Sequence, residues 1–284
     1  MPDVPRRAPS GSKAARSPSF SAGRYYERVT PPATSARARA VHSIMRASAR
    51  MNAAEPELLG LAAVVRPGDH VFDVGAAYGM YTFPLAAIVG PNGSVNAFEP
   101  QKRGQRMLRA VQKITGGRNI RLAQAAVGPQ PGEHPMLLPV RFGVPIYGHT
   151  HVGTGTDRAL TPQAAHTRTW TTEMVSVDSW CETHGIDTVS FMKVDVEGFE
   201  PNVLEGAQNA IETNRPSLLL EIEDRHIGRY GRDANAFADE IRARWPEYRM
   251  YTWSGGDWAP TERVTLGIRN YLFATDAAFA RPTL

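Results

Sequence analysis

Residues 70–82 read HVFDVGAAYGMYT, a short apolar run followed by small residues and then by the start of a helical pattern. Such a run predicts a buried strand, a tight turn and a helix. Gly75 and Gly79 would let the turn bend sharply and bring amides of the helix N-terminus against a ligand. A plain connection between a strand and a helix also favours glycine, so the loop alone indicates a nucleotide-type ligand without identifying it.

Beyond Gly68 the chain alternates short β-rich runs with longer helical patterns. This alternation predicts an α/β fold with a mostly parallel, seven-stranded sheet and helices on both faces. Strands are expected near residues 70–74, 94–98, 120–127, 173–177, 188–195, 217–223, 247–252 and 269–274, and helices near 79–90, 101–115, 178–185, 200–213 and 234–245. The last two strands have no helical pattern between them and are expected to form an antiparallel edge hairpin.

The 284 residues divide into three expected parts. Residues 1–35 are basic and poor in apolar periodicity, which predicts a flexible arm. Residues 36–66 carry spaced apolar positions typical of a helical cap, and residues 67–284 form the main domain. Within it, residues 128–170 lack sustained periodicity. So long an irregular stretch in a compact domain predicts a substrate loop or lid.

The formal net charge of +4 is unevenly distributed. Residues 1–50 hold ten Lys and Arg against two acidic residues, a net charge of +8, so residues 51–284 carry −4. A nucleic-acid enzyme usually has a basic face on its folded domain, so this balance disfavours a nucleic-acid partner. The Arg-rich start also resembles a transit peptide in composition, but a solvated arm is the favoured interpretation.

The single cysteine, Cys181, excludes an internal disulfide and argues against a structural zinc module. No apolar run is long enough to span a membrane, and the N-terminus lacks a hydrophobic signal core. A cytoplasmic protein without membrane association is therefore expected. The sequence is compatible with a homo-oligomer.

Glu99 ends the second predicted strand, in VNAFEP at 95–100, and lies 24 positions beyond Gly75. A carboxylate there can accept hydrogen bonds from both ribose hydroxyls of an adenosine, although a surface glutamate at a strand end is the plain alternative. The loop from Asp73 to Gly79 lacks the G-x-G-x-x-G spacing that approaches a pyrophosphate. Asp73 would attract the cationic amine of S-adenosylmethionine (SAM) and repel a diphosphate. The two features together favour SAM over a dinucleotide.

Six blocks of the chain resemble, in order, those of the FkbM family of methyltransferases. They are VFDVGAAYGMYT, FEP at 98–100, AAVG at 125–128, VSVDSW at 175–180, SFMKVDVEGFEPNVLEGA at 190–207 and LLLEIEDRH at 218–226. The resemblance implies a Rossmann-like class I SAM-dependent methyltransferase, usually acting on a hydroxyl oxygen of a sugar or secondary metabolite. Relatives often carry Asn or Gly where this chain has Ala77. The predicted cofactor contacts are Asp73, Gly75, Ala77, Tyr78, Gly79, Glu99, Gln124 and Asp195.

Charged residues stand at the ends of two neighbouring predicted strands. Asp195 and Glu197 share one parity with Lys193 in KVDVEG, and ligands of open α/β sheets bind at the carboxyl ends of the strands. Glu223 and His226 follow the next strand, where an imidazole beside carboxylates could act as a general base. We predict catalytic roles for Asp195, Glu197 and His226. The structural alternatives are a Lys193–Asp195 ion pair, helix capping by Glu197 and a loop or capping role for His226.

His149 and His151 form an H-x-H pair in IYGHTHVGTGT. No third and fourth ligands can be assigned, so solvated loop histidines are favoured over a metal site. With Glu223, they are the predicted substrate contacts. If the reaction uses a divalent metal such as Mg²⁺, Asp195 and Glu197 are its expected ligands.

The function expected from the sequence is SAM-dependent O-methylation of a small-molecule hydroxyl. An RNA ribose 2′-O-methyltransferase is the alternative suggested by the basic arm and the Lys, Asp and Glu cluster, and the acidic body counts against it. An NAD-dependent oxidoreductase is disfavoured by the loop spacing. A catalytically silent interaction protein with the same fold is disfavoured by the charged strand ends.

Overall fold

The computed structural model of the protein describes residues 35–141, 144–145, 150–153 and 166–280. In chain order the strands are β1 (His70–Val74), β2 (Ser94–Phe98), β3 (Ile120–Ala123), β4 (Ala126–Val127), β5 (Gly132–Arg141), β6 (Val144–Pro145), β7 (His151–Val152), β8 (His166–Val175), β9 (Phe191–Val194), β10 (Ser217–Glu221), β11 (Arg249–Ser254), β12 (Asp257–Pro260) and β13 (Asn270–Ala274). The helices are α1 (Ala36–Arg50), α2 (Thr82–Val89), α3 (Lys102–Thr115), α4 (Val177–His184), α5 (Glu200–Glu205), α6 (Gln208–Asn214), α7 (Asp224–Ile227), α8 (Ala234–Arg244) and α9 (Asp276–Ala280).

Eight strands form the main sheet, in the order β12-β11-β13-β10-β9-β1-β2-β3. The five strands from β3 to β10 are parallel, whereas β13, β11 and β12 each run antiparallel to their neighbours. Buried apolar residues fill both faces of this sheet, which accounts for the apolar character of the central strand β1. The predicted α/β fold, with a mostly parallel sheet and an antiparallel edge, is confirmed.

The main sheet has one strand more than the seven expected. The predicted strands at 247–252 and 269–274 do pair antiparallel, as β11 and β13, and β12 then extends the edge through a hairpin with β11. Gly255 and Gly256 form the turn of this hairpin, with φ angles of 62° and 89°. A Gly-Gly pair between two β-rich runs is a hairpin signal, because both turn residues need positive φ.

A second, smaller sheet has the order β4-β8-β5-β6, with β7 paired to β5. Its main part is an antiparallel ribbon in which β5 and β8 pair along their length. The expectation of an irregular stretch at residues 128–170 is therefore wrong for these strands. Pro135 and Pro139 lie inside β5. Proline within a run argues against a paired strand, so the sequence pattern did not predict β5.

The segment before β1 packs on one face of the main sheet. Its helix α1 contacts α2 and α3. The chain then makes a 3-10 turn at Pro56–Leu59, and Leu58 within the turn and Leu61 after it are fully buried. The indole nitrogen of Trp258 donates a hydrogen bond to the carbonyl of Gly60 at 3.0 Å. The segment is thereby fixed to β12.

Alternate residues of β1 face opposite sides of the sheet, as the geometry of a strand requires. Phe72 and Val74 belong to one apolar cluster and Val71 to the other.

Across the described residues, no helix is both long enough and apolar enough to cross a membrane.

Candidate active site

A cleft opens at the carboxyl ends of β1, β2 and β9, where parallel α/β sheets bind their ligands. Residues of β4, β5 and β7 also line it. Six of the predicted site residues meet here: Gly75, Ala77, Glu99, His151, Asp195 and Glu197. These six residues come from four separate segments of the chain, which meet in one site.

The loop after β1 bends back over the end of β2. The amides of Gly75 and Ala76 donate to the carbonyl of Phe98 at 3.0 and 2.9 Å. Gly75 has a φ of +85°, and a Cβ at this position would overlap the carbonyl oxygen of Asp195. Only glycine lets the loop pass so close to the end of β9. The loop thus draws the ends of three strands together.

Glu99 is held beneath this loop by backbone amides. Its Oε2 accepts a hydrogen bond from the amide of Ala77 at 2.9 Å, and its Oε1 accepts one from the amide of Gln101 at 2.7 Å. Burial raises the pKa of Glu99 to about 7, although the two amides act in the opposite direction. Each carboxylate oxygen has a second lone pair, so Glu99 can accept ligand hydroxyls without losing these contacts.

Four predicted cofactor contacts lie off the lining of this cleft. Asp73 is buried behind the loop, where it accepts a hydrogen bond from the hydroxyl of Thr82, and burial raises its pKa to about 6. The structure therefore does not place Asp73 where it would face a ligand amine. Tyr78 is half exposed, Gly79 packs against α2, and Gln124 lines a separate cavity between α3 and β8.

Lys193 and Asp195 form an ion pair at the end of β9. The Lys193 side chain is buried, and its Nζ lies 3.3 Å from Oδ2 of Asp195 and donates to Oδ1 of Asn270 at 2.9 Å. Asp195 keeps 25% of its side chain exposed and lines the cleft. Asp195 therefore forms the ion pair with Lys193 that the sequence suggested as a structural alternative, and it also lines the cleft.

His226 lies between two carboxylates behind the cleft. Its Nδ1 lies 3.2 Å from Oε2 of Glu221, and its Nε2 lies 3.1 Å from Oε2 of Glu197. The His226 side chain is 3% exposed, and Glu197 stands between it and the cleft. The structure therefore does not support the expectation that His226 itself meets the acceptor, because the turn at Glu197 intervenes.

The surroundings of Glu197 fix its backbone. Its φ is +60°, which is uncommon for a residue other than glycine. Arg229 donates to the Glu197 carbonyl at 2.7 Å, and Oε1 of Glu200 accepts from the amides of Val196 and Gly198 at 2.9 and 3.3 Å. Helix α5 has no side-chain cap hydrogen bond, so the capping role considered for Glu197 is not observed, and Glu200 instead holds the turn before the helix. Burial raises the pKa of Glu197 to about 9.

Glu200 is expected to make stability pH-dependent. Burial raises its pKa to about 8 in the folded protein, against about 4.3 in an unfolded chain. Between these values the folded state binds more protons, so the free energy of unfolding falls as pH rises, by up to about 1.4 kcal/mol per pH unit. In chemical denaturation at about pH 6 and about pH 8, the wild type should lose more stability than Glu200→Gln, which cannot titrate. Equal losses would contradict this assignment.

Donor atoms of Glu197, Glu221 and His226 lie within 4.8 Å of one another, close enough to hold a metal ion. Glu221 is already paired, however, through one oxygen with Arg269 and through the other with His226. The guanidinium of Arg269 therefore already balances part of the charge of Glu221. A metal held by Asp195 and Glu197 stays a prediction.

The predicted substrate contacts have separate locations. His151 is buried in the cleft lining, whereas His149 lies outside the described residues. Glu223 is not among the described residues that line the cleft, and it forms ion pairs with Arg225 and Arg269. Arg269, which the sequence did not single out, does line the cleft. Arg269 is an isolated basic residue after a loop, so it belongs to no sequence motif that would have predicted a role in the site.

A family model described as the methyltransferase FkbM domain matches residues 73–249. The chain belongs to the FkbM methyltransferase family. The matched segment contains the loop after β1, Glu99 and the charged end of β9. A comparison of this FkbM methyltransferase with curated proteins finds no significant match.

Solved structures similar to this FkbM methyltransferase have low sequence identity. Methyltransferase FkbM from Methylobacillus flagellatus KT is 17% identical, with a TM-score of 0.46 over 82% of this chain and 54% of that chain, so the present chain spans about half of its length. A putative rRNA methylase from Clostridium thermocellum is 10% identical, with a TM-score of 0.44 over 78% and 93% of the two chains. Fibrillarin from Aeropyrum pernix, solved with natively bound SAM, is 16% identical, with a TM-score of 0.41 over 76% and 74%.

Parts of the site in this FkbM methyltransferase lie outside the matched segment. Residues 36–66 precede it, and β12 and β13 follow it. Arg269, just before β13, nevertheless lines the cleft, and Asn270 holds the ammonium group of Lys193. Flanking segments therefore complete the site.

Proposed function

We propose that the protein transfers a methyl group from SAM to a hydroxyl group of a small molecule, such as a sugar or a secondary metabolite. One observation carries the proposal: a single cleft joins Glu99, an acid suited to ribose hydroxyls, with Asp195, a carboxylate suited to an acceptor hydroxyl. Membership of the FkbM family supports the reaction class.

The residues of the cleft fit SAM. Glu99 would accept the ribose hydroxyls, and the bent loop at Gly75 would present its backbone to the cofactor. SAM supplies a methyl group on a sulfonium, which makes the carbon electrophilic. The spacing G-x-A-x-G at residues 75–79 differs from the loop that binds the diphosphate of NAD, which disfavours an oxidoreductase.

In the proposed reaction the acceptor oxygen forms a bond to the methyl carbon. The carbon–sulfur bond breaks and its electron pair stays on sulfur, which leaves S-adenosylhomocysteine (SAH). An alcohol is a weak acid, so a positioned base must take its proton. We assign this role to Asp195, the cleft carboxylate paired with Lys193. Glu197, whose pKa burial raises to about 9, would be protonated at neutral pH and could donate a hydrogen bond to the acceptor.

Calorimetric titration with SAM and with NAD tests the cofactor, and we expect only SAM to bind. Incubation with SAM and a panel of sugars and glycosylated metabolites, followed by mass spectrometry, tests the acceptor. The expected product is heavier than its precursor by one CH₂ unit. Binding of NAD without SAM would overturn the proposal. Methylation of RNA with no small-molecule product would replace it by the ribose 2′-O-methyltransferase alternative.

Glu99→Gln is expected to weaken SAM affinity by about 1.5–3 kcal/mol, the range for hydrogen bonds to a charged acceptor. The amide nitrogen would also face one of the two backbone amides that now donate to the carboxylate. Glu205→Gln, at an exposed position on α5, is the matched control and should bind SAM as the wild type does. Calorimetry that shows unchanged affinity in Glu99→Gln would remove Glu99 from the cofactor site.

A further inference from the structure

Glu55 connects parts of the site that come from distant regions of the chain. Its Oε2 accepts a hydrogen bond from the hydroxyl of Tyr81 at 2.7 Å and another from Nδ2 of Asn270 at 2.9 Å. Tyr81 follows the loop that begins at Gly75, and Asn270 is the first residue of β13. Glu55 itself lies in the segment before β1, outside the part of the chain that the FkbM family model matches.

The oxygen of the Asn270 amide continues this path toward the cleft. It accepts a hydrogen bond from Nζ of Lys193 at 2.9 Å, and the same Nζ lies 3.3 Å from Oδ2 of Asp195. Asn270 and Lys193 are both almost fully buried, so water competes little for these bonds. A continuous series of polar contacts therefore leads from Glu55 to Asp195.

The orientation of the Asn270 amide decides whether this series holds. An amide has an acceptor at one end and donors at the other, whereas an ionised carboxylate only accepts. Glu55 therefore selects the NH₂ group of Asn270 and leaves the carbonyl oxygen for Lys193. With the amide reversed, its NH₂ group would face the ammonium group of Lys193. Two buried donors would then lose their acceptors, at a high cost in free energy.

The charges favour the same arrangement. Burial by itself lowers the pKa of Lys193, but Asp195, Glu55 and Glu221 together raise it above its ordinary value. Lys193 is therefore charged, and Asp195 is not its only counter-ion. Because Asn270 holds the ammonium group from a second side, Lys193 is a fixed partner against which the carboxylate of Asp195 is oriented.

We propose that Glu55 is a positioning residue for methyl transfer. It orients Asn270, Asn270 holds Lys193, and Lys193 fixes the carboxylate of Asp195 at the cleft. Through Tyr81, Glu55 also holds the end of the cofactor loop. This inference rests on the proposed function, because it assigns Glu55 a part in that reaction. The segment before β1 is then a component of the catalytic unit.

Two analogues of SAM test the proposal without an acceptor. SAH lacks the methyl group, whereas sinefungin carries an amine in its place, and this cation would pair with Asp195. We expect the wild type to bind sinefungin more tightly than SAH. In Glu55→Ala, which removes the acceptor of both hydrogen bonds, this preference should fall about tenfold, as in Asp195→Asn, while SAH affinity changes by less than about threefold. Calorimetry measures both affinities.

Further variants separate positioning from a merely structural role. Asn270→Ala should reproduce the loss seen in Glu55→Ala and carries the same test if that variant does not fold. The double variant should be no worse than either single one, because both act on one series of contacts. Glu205→Gln, an exposed glutamate, should keep the wild-type preference.

Other results would contradict either the positioning role of Glu55 or the proposed function. A lower midpoint of thermal unfolding (Tm) in Glu55→Ala with the preference for sinefungin intact would overturn the positioning role, and so would additive effects in the double variant. If the wild type binds SAH but does not prefer sinefungin, Asp195 is not positioned at the methyl group and the inference fails. A wild type that binds neither analogue would instead refute the proposed function.

Discussion

Asp195→Asn is expected to slow methyl transfer by about 100-fold or more, while SAM affinity stays within about threefold of the wild-type value. Asparagine keeps an oxygen that can accept the hydrogen bond from Lys193, so the end of β9 should hold its shape. The amide cannot take the proton of the acceptor hydroxyl, and the chemical step should therefore suffer more than binding. Turnover measured beside calorimetric affinity separates the two effects.

The control for this variant is Asp187→Asn, an exposed aspartate that should have wild-type turnover. Glu197→Gln and His226→Ala should have smaller effects than Asp195→Asn, because neither residue is assigned the proton. Normal turnover in Asp195→Asn would refute its role as base. Loss of folding or of SAM binding in that variant would show that the pair with Lys193 is chiefly structural.

Gly75→Ala is expected to abolish SAM binding and to destabilise the fold by about 3 kcal/mol or more, as overpacking adds to backbone strain. A Cβ at this position would overlap the carbonyl oxygen of Asp195, so the ends of β1 and β9 would have to separate. The φ of +85° also disfavours any residue with a side chain. Chemical denaturation and calorimetry measure the two losses.

Gly68→Ala is a matched control for this prediction. Gly68 has a φ of +88°, but no atom beyond Gly68 and its two chain neighbours lies within 4 Å of the position that its Cβ would take. This variant should therefore show only the conformational cost, about 1–2 kcal/mol, and keep its SAM affinity. If both variants lose the same stability and the same affinity, the close approach of Gly75 to β9 is not what the site requires.

The sequence predicted those parts of the site that directly follow a strand. The loop at residues 75–79, Glu99 and Asp195 lie at the carboxyl ends of β1, β2 and β9, and parallel strands bring these ends to one edge of the sheet. Strand patterns can be recognised within a few residues, so the convergence of these positions follows from local signals and one topological rule.

The direction of individual side chains was not predictable in this way. Asp73 precedes the loop as expected, but the hydroxyl of Thr82 engages it behind the loop. His226 follows β10 as expected, but the turn at Glu197 separates it from the cleft. In both cases a hydrogen-bonding partner decides which way the side chain points: the hydroxyl of Thr82 for Asp73, and the carboxylate of Glu221 for His226.

The contacts of Glu55 were beyond the reach of any local pattern. Its partner Asn270 is 215 positions away, and neither residue stands in a run that suggests chemistry. Arg269 is similar, because its role in the cleft depends on the carboxylates of Glu221 and Glu223. Only the completed sheet brings β13 beside β10 and so places these residues at the site.

The hydrogen bonds from Trp258 to Gly60 and from Asn270 to Glu55 span 198 and 215 positions of the chain. A ribosome releases residues in order, so a nascent chain contains the loop after β1 long before it contains β13. The loop can close over β2 early in translation, whereas Lys193 gains its contact with Asn270 only after β13 has been synthesised. The growing polypeptide is thus expected to form the cofactor-binding loop before it can complete the contacts that position Asp195.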